Sequence, residues 1–165
     1  MITKIKNIIF RIIYILVIIY LLIFIPSLFG HKPLVVVSGS MEPKLKVGSI
    51  LYYHSEELTN FNTAYILVYK TKDHIISHRI VSQSETGFMT KGDANNAIDS
   101  VETKNSQVLG KGTDWCIPYI GYYADFIYNH KFLLYISISI LVIDLCNDYY
   151  TIRKKKVGDK NEKSD

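Results

Sequence analysis

The chain has 165 residues, 48% hydrophobic and 21% charged, with a formal net charge of +4. That length holds one modest domain, and the charge excludes a nucleic-acid footprint: the surplus sits at the two ends, where residues 1–29 carry Lys4, Lys6 and Arg11 with no acid, while the middle is close to balanced. Two cysteines, Cys116 and Cys146, are too few for a disulfide framework and read as unpaired small hydrophobes.

From Ile8 to Phe29 the residues are almost all Ile, Leu, Val, Tyr and Phe, long enough to cross a bilayer as a helix with Arg11 snorkelling to the inner face. A cleaved leader shares the basic start and apolar run, but no Ala-x-Ala-like step follows Pro26, so an uncleaved anchor over 1–30 is expected. The stretch 31–122 then reads as β-rich. Leu34–Val37 is β-branched, Ser49–Tyr53 follows a glycine turn, Ala64–Tyr69 is apolar and aromatic, and Ile75–Ser82 mixes apolar with polar residues. Phe88–Thr90 leads into Lys91-Gly92-Asp93-Ala94-Asn95-Asn96, a strong turn composition, and no helical period of useful length appears between 34 and 115.

A second apolar run, Phe132–Cys146, is short for a span and contains Asp144, so a surface-lying helix is the alternative to a second transmembrane segment over 123–152. Arg153-Lys154-Lys155-Lys156 follows at once. With the basic N-terminus, that block predicts two spans in the cell membrane, both termini in the cytoplasm, 153–165 as a basic cytoplasmic tail solvated from Lys156, and an extracytoplasmic middle. The predicted fold class is mainly β, flanked by the two helices.

A serine is a useful nucleophile when a base takes its proton, donors await the oxyanion, and its hydroxyl projects from a tight turn. Ser38-Gly39-Ser40-Met41-Glu42-Pro43 offers such a turn directly after an apolar strand, with Gly39 permitting the bend and Pro43 stiffening the exit. His78, in Ile75-Ile76-Ser77-His78-Arg79-Ile80-Val81, is placed on a strand and carries the side chain suited to base work near neutral pH. Asp93 and Asp99 follow as carboxylates able to orient an imidazole. Arg79 is expected to order the strand edge through an ion pair. His31, His54, His74 and His130 belong to no motif and no histidine pair has metal-ligand spacing with a carboxylate, so neither metal nor other cofactor is expected.

Together, Ser-Gly-Ser-Met-x-Pro, Ser-His-Arg-Ile-Val and Lys-Gly-Asp-x-Asn-Asn with a further Asp resemble signal peptidase I, in its endoplasmic-reticulum-type branch with the SipW-like enzymes. The likeness runs to Ile117-Pro118-Tyr119-Ile120-Gly121-Tyr122. It implies a signal-peptidase-like β catalytic domain over 31–122 that cleaves signal peptides from secretory precursors at the outer membrane surface. It also implies Ser40 as nucleophile, His78 as base where the common bacterial branch has lysine, and Ser38 with the Ser40 N–H as oxyanion hole. Asp99 is implied as the triad acid with Asp93 in support, the Ala94 insertion making the alignment of Asp99 looser than that of the other residues.

Ser40 lies ten residues beyond Gly30, about 35 Å at full extension, so the site is expected close to the bilayer. Leu34, Val35, Val36 and Val37 would pair with the extended precursor through main-chain bonds. A Ser-Lys enzyme using Lys70 or Lys91, and an inactive membrane protein that binds precursors or partner subunits, are the competing readings. Whether a helper subunit is needed is open.

Overall fold

The computed structural model describes residues 2–161, with side chains described for 5–154. Met1 and residues 162–165, like the side chains of Lys4, Lys155 and Lys156, lie outside that description. Two compact units are present, one of Leu22–Phe126 and the other of Met1–Leu21 with Ile127–Asp165.

The first unit is a curled antiparallel sheet of seven strands: β1 (Lys32–Val35), β2 (Ile50–His54), β3 (Ile66–Lys70), β4 (Ile75–Gln83), β5 (Gly87–Lys91), β6 (Thr103–Lys104) and β7 (Val108–Ile117). Their spatial order, β1-β2-β7-β3-β4-β5-β6, puts the last strand in the middle, so β2 and β3 are joined through β7 and do not pair with each other. Side-chain alternation builds two cores. Ile66 and Val68 pack with Val36, Met41, Leu45 and Leu51 on one face of β3. Leu67 and Tyr69 pack with Phe61, Ile80 and Phe88 on the other. A third cluster gathers Ile23, Ile50, Tyr52 and Ala124, and the Tyr52 hydroxyl donates to the Ile23 carbonyl at 3.0 Å.

The strands expected from β-branched runs form within a few residues of their predicted limits; the first begins at Lys32 and ends at Val35, leaving Val36 and Val37 to enter the next turn. Neither β6 nor β7 was expected. The ten residues of β7 include Gly110, Lys111, Gly112, Thr113 and Asp114, a composition poor in strand formers. The glycines are there because of crowding. Gly110 has φ +155, and a Cβ on it would lie 2.0 Å from the His54 carbonyl oxygen; one on Gly112 would lie 3.0 Å from the Ile66 side chain. Where a central strand is squeezed between two others, close approach overrides propensity.

The second unit contains most of α1 (Ile2–Phe24) and all of α3 (Lys131–Asn161); α2 (Ile120–Asn129) precedes α3. Two helical stretches, Ile5–Phe29 and Lys131–Lys154, are long and apolar enough to cross a membrane, and the chain is membrane-associated. The short run Phe132–Cys146 thus extends into a helix of 31 residues, and the segment expected as a solvated tail is helical to Asn161. Asp144, the costly residue in that run, lies 3.7 Å from Lys6 Nζ of α1, a pairing of the kind that would lower the cost of such a charge within a span. Cys116 and Cys146 are both free.

Replacing Gly110 by alanine forces a backbone clash at the centre of the sheet, whereas Gly30 (φ +82) has nothing within 4 Å of its Cβ position. Gly110→Ala is expected to cost at least about 2 kcal/mol of stability, and Gly30→Ala about 1 kcal/mol, the cost of a left-handed residue alone. Thermal unfolding in detergent, followed through Trp115 stacked 5.1 Å from Tyr52, ranks the two; equal midpoints would contradict the packing described for β7.

Candidate active site

Ser40 lies in a 3-10 turn, Gly39–Met41, separated from the buried Val36 by exposed Val37 and Ser38. Met41 and Leu45 anchor the turn in the first core, and the Glu42 N–H closes it on the Gly39 carbonyl at 3.0 Å. Gly39, expected to permit the bend, is not at positive φ, and a Cβ there would only touch the Glu42 carboxyl carbon at 3.6 Å. The glycine this turn needs is Gly92. A Cβ on Gly92 would stand 2.5 Å from the Ser40 carbonyl oxygen, the same oxygen that accepts the Ala94 N–H at 2.9 Å. The Gly92–Asn95 turn therefore clasps the serine turn from outside.

His78 stands opposite Leu67 in the β3–β4 pair, facing the second core, with its ring edge toward Tyr69. Its Nε2 lies 3.1 Å from Ser40 Oγ, and its Nδ1 lies 2.6 Å from Asp99 Oδ2. A carboxylate only accepts, so this geometry assigns the proton to Nδ1 and leaves Nε2 free to accept from the serine hydroxyl. The side chains of His78 and Asp99 are 11% and 22% exposed, which keeps competing water from most of the pair.

Asp99 lies in irregular chain beyond β5 and is held by two residues to which the sequence reading gave no role. Thr90 Oγ1 donates to Asp99 Oδ2 at 2.6 Å, and the Tyr69 hydroxyl reaches the same oxygen at 3.4 Å. Burial pushes the Tyr69 phenol above its ordinary pKa, partly offset by its contact with Thr90, so it remains a donor. The signal for Thr90 was legible in principle: it shares a strand face with Phe88, and a hydroxyl facing a core must find a partner.

Asp93 is placed elsewhere. Its oxygens accept from Arg79 Nε at 2.8 Å and Nη2 at 2.7 Å, while Arg79 Nη1 donates to the Ala64 carbonyl. The guanidinium bonds hold the Asp93 carboxyl below its usual range and raise Arg79 in turn. Ser38 is exposed, with Oγ 3.3 Å from Ser40 Oγ.

Leu34 and Val35 face Leu51 and Ile50 across β1–β2, and β1 is the first strand of the sheet, with no strand on its other side among the described residues. Val36 is fastened inward, its N–H on the Ser49 carbonyl at 2.9 Å, and Val37 is 79% exposed. Lys70 and Lys91 stand opposite Ile75 and Arg79 in their ladders, so the basic side chain bonded to Ser40 is that of His78. His54 pairs with Glu56 at 3.1 Å, and its ring lies 5.0 Å from that of His31. Among the described residues no three His, Cys, Asp or Glu converge as a metal-ligand set would.

The chain is 33% identical over 130 residues to signal peptidase I W of Bacillus subtilis, covering 69% of this chain and 67% of that protein. This chain belongs to the signal peptidase I family. The signal peptidase complex catalytic subunit SEC11 of Verticillium alfalfae is 32% identical over 126 residues, covering 67% of this chain and 72% of its own, and SEC11 of Candida tropicalis is 33% identical over 127, covering 68% and 75%. These relatives place the signal peptidase resemblance in the branch of SEC11 and signal peptidase I W. No protein-family model matches the chain.

The Arg79–Asp93 pair has a pH signature. Asp93 titrates lower in the folded chain than in the unfolded one, so its contribution is fully present above the unfolded pKa, near 4, and is lost as pH falls through the folded value. Asp93→Asn is expected to lower the unfolding midpoint at neutral pH and to make its decline below about pH 4 shallower than in wild type. Unfolding midpoints measured from pH 7 to 2 check this; superimposable curves would show that the pair contributes nothing.

Proposed function

We propose that this chain is a membrane-anchored serine endopeptidase that removes signal peptides from secretory precursors, with Ser40 as nucleophile, His78 as general base and Asp99 as the acid of the triad. The observation that carries the reading is the unbroken hydrogen-bonded path from Ser40 Oγ through both ring nitrogens of His78 to Asp99, at 3.1 and 2.6 Å, in a chain related to signal peptidases. Ser40 Oγ attacks the scissile carbonyl carbon as its proton passes to His78 Nε2, and the charged ring is stabilised by Asp99. The oxyanion is met by the Ser40 N–H and the Ser38 hydroxyl. The C–N bond then breaks, Nε2 returns the proton to the leaving amine, and the mature protein departs. Water attacks the remaining ester, gives its proton to Nε2, and frees the signal peptide as a carboxylic acid while Ser40 regains its hydroxyl. Asp93 supports the site at a distance, keeping the Gly92 turn on Ser40 through Arg79.

The precursor docks as an extended strand along Leu34–Val37, a reading supported by the open edge of β1. The ten residues from Gly30 to Ser40 limit how far the nucleophile stands from the anchor. Basic residues at both ends favour two spans with both termini cytoplasmic and the sheet outside.

Cleavage of a model precursor by the full-length chain in detergent micelles, with the new N-terminus sequenced, tests the reaction. Ser40→Ala and His78→Ala are expected to abolish cleavage, and His78→Lys to fail to restore it, because a lysine acts as a base only where it is desolvated enough to lose its proton. Cleavage by Ser40→Ala would remove the serine from the mechanism. Topology is tested separately by adding protease to intact cells. A tag at Asp165 should be spared, and its digestion from outside would show that Lys131–Lys154 does not span.

A further inference from the structure

Asp99 is the member of the proposed triad with the least support from regular structure. Ser40 is fastened in a closed turn and His78 in the centre of a strand, but Asp99 occupies irregular chain between β5 and β6. A carboxylate so placed turns toward water unless it is held, and water is close: Asp99 borders a cleft of about 270 Å³ lined also by Tyr69, Ile76, Ser100 and Glu102. Thr90 is the residue that grips it, and does so twice. Its carbonyl accepts the Asp99 N–H at 2.9 Å, and its hydroxyl donates to Oδ2 at 2.6 Å.

Oδ2 is the oxygen that meets His78 Nδ1. A carboxylate oxygen offers two lone pairs, and the two short bonds, from His78 and Thr90, fill them. The Tyr69 hydroxyl, at 3.4 Å from both Oδ2 and Thr90 Oγ1, is a weaker third contact. Thr90 is wholly buried, so its hydroxyl has no water to turn to, and its β-branched side chain is stiff about χ1 within the strand.

We infer that Thr90 is a positioning residue for catalysis, its hydroxyl fixing Asp99 Oδ2 on the Nδ1 side of His78. The inference rests on the Ser40–His78–Asp99 reading above. Thr90 acts through Asp99.

The test uses the full-length chain in detergent micelles with a model precursor. Thr90→Val keeps shape and removes the hydroxyl. It should lower kcat on the order of ten- to a hundredfold, the worth of one hydrogen bond to a charged group, with KM nearly unchanged and the protein still folded by Trp115 fluorescence. Thr90→Ser, which keeps a donor, should recover most of the rate. In an Asp99→Asn background Thr90→Val should have no further effect, since the group it positions is already lost. Wild-type kcat in Thr90→Val would overturn the inference, as would an equal loss of rate in both backgrounds, which would mark a packing role only. If Thr90→Val fails to fold, the Ser variant decides: a folded Thr90→Ser with the rate of Asp99→Asn contradicts the role of the hydroxyl. Full activity of Asp99→Asn alone would instead overturn the functional reading on which this rests.

Discussion

Gly92 meets Ser40 more closely than any side chain permits, and the site is arranged around that approach. The Ser40 turn lies after β1 and the loop that carries Asp93 and Asp99 after β5, far apart in sequence. The Ala94 N–H on the Ser40 carbonyl, with Gly92 beneath it, ties the two together. Arg79 holds the same loop from the neighbouring strand through Asp93. Once the loop is fixed, the chain returns to Thr90 and delivers Asp99 to His78. The carboxylates therefore divide the labour, one closing the scaffold and the other facing the imidazole.

The sheet makes this possible because β3 is buried on both faces. Its even-numbered positions, Ile66 and Val68, fill the core beneath the serine turn, and its odd ones, Leu67 and Tyr69, fill the core behind His78. The turn that carries Ser40 is thus anchored in one core through Met41 and Leu45, while His78 borders the other, and the two side chains meet at 3.1 Å. β7 lies between β2 and β3 and locks the half of the sheet that carries Ser40 to the half that carries His78 and Asp99. Little of this sheet faces water on either side of β3, which favours the short, strong bonds seen at the site.

What sequence conveyed and what it withheld follow from the range of the forces involved. β-branched runs announce strands locally, so β1 to β5 were legible, whereas the turn after β1 is too common a pattern to single out Ser40 alone, and it took the three motifs in order to do so. β7 was hidden because Gly110 and Gly112 answer to neighbours more than forty residues away, His54 and Ile66, and no local pattern encodes that. Gly39 drew attention as the flexible residue of the nucleophile motif, yet the steric demand falls on Gly92, in a different motif. Asp144 looked like an obstacle to a membrane span when read in its own helix, and its partner Lys6 lies at the opposite end of the chain. Asp99 was favoured over Asp93 to face His78 only through the resemblance; in the structure Arg79 stands beside Asp93 and His78 beside Asp99. Thr90 and Tyr69 carried no motif at all; their importance comes from the oxygen they share.

The central claim is that the carboxylate facing His78 acts in catalysis and not in folding. Asp99→Asn keeps the size of the side chain and removes the charge that holds the imidazole in its working tautomer. A triad acid lost in this way costs about ten-thousandfold in kcat while substrate binding changes little. Purified Asp99→Asn should therefore remain folded and membrane-inserted, bind precursor with nearly wild-type KM, and cleave it slower by about that factor. Cleavage at close to the wild-type rate by a folded Asp99→Asn would contradict the account.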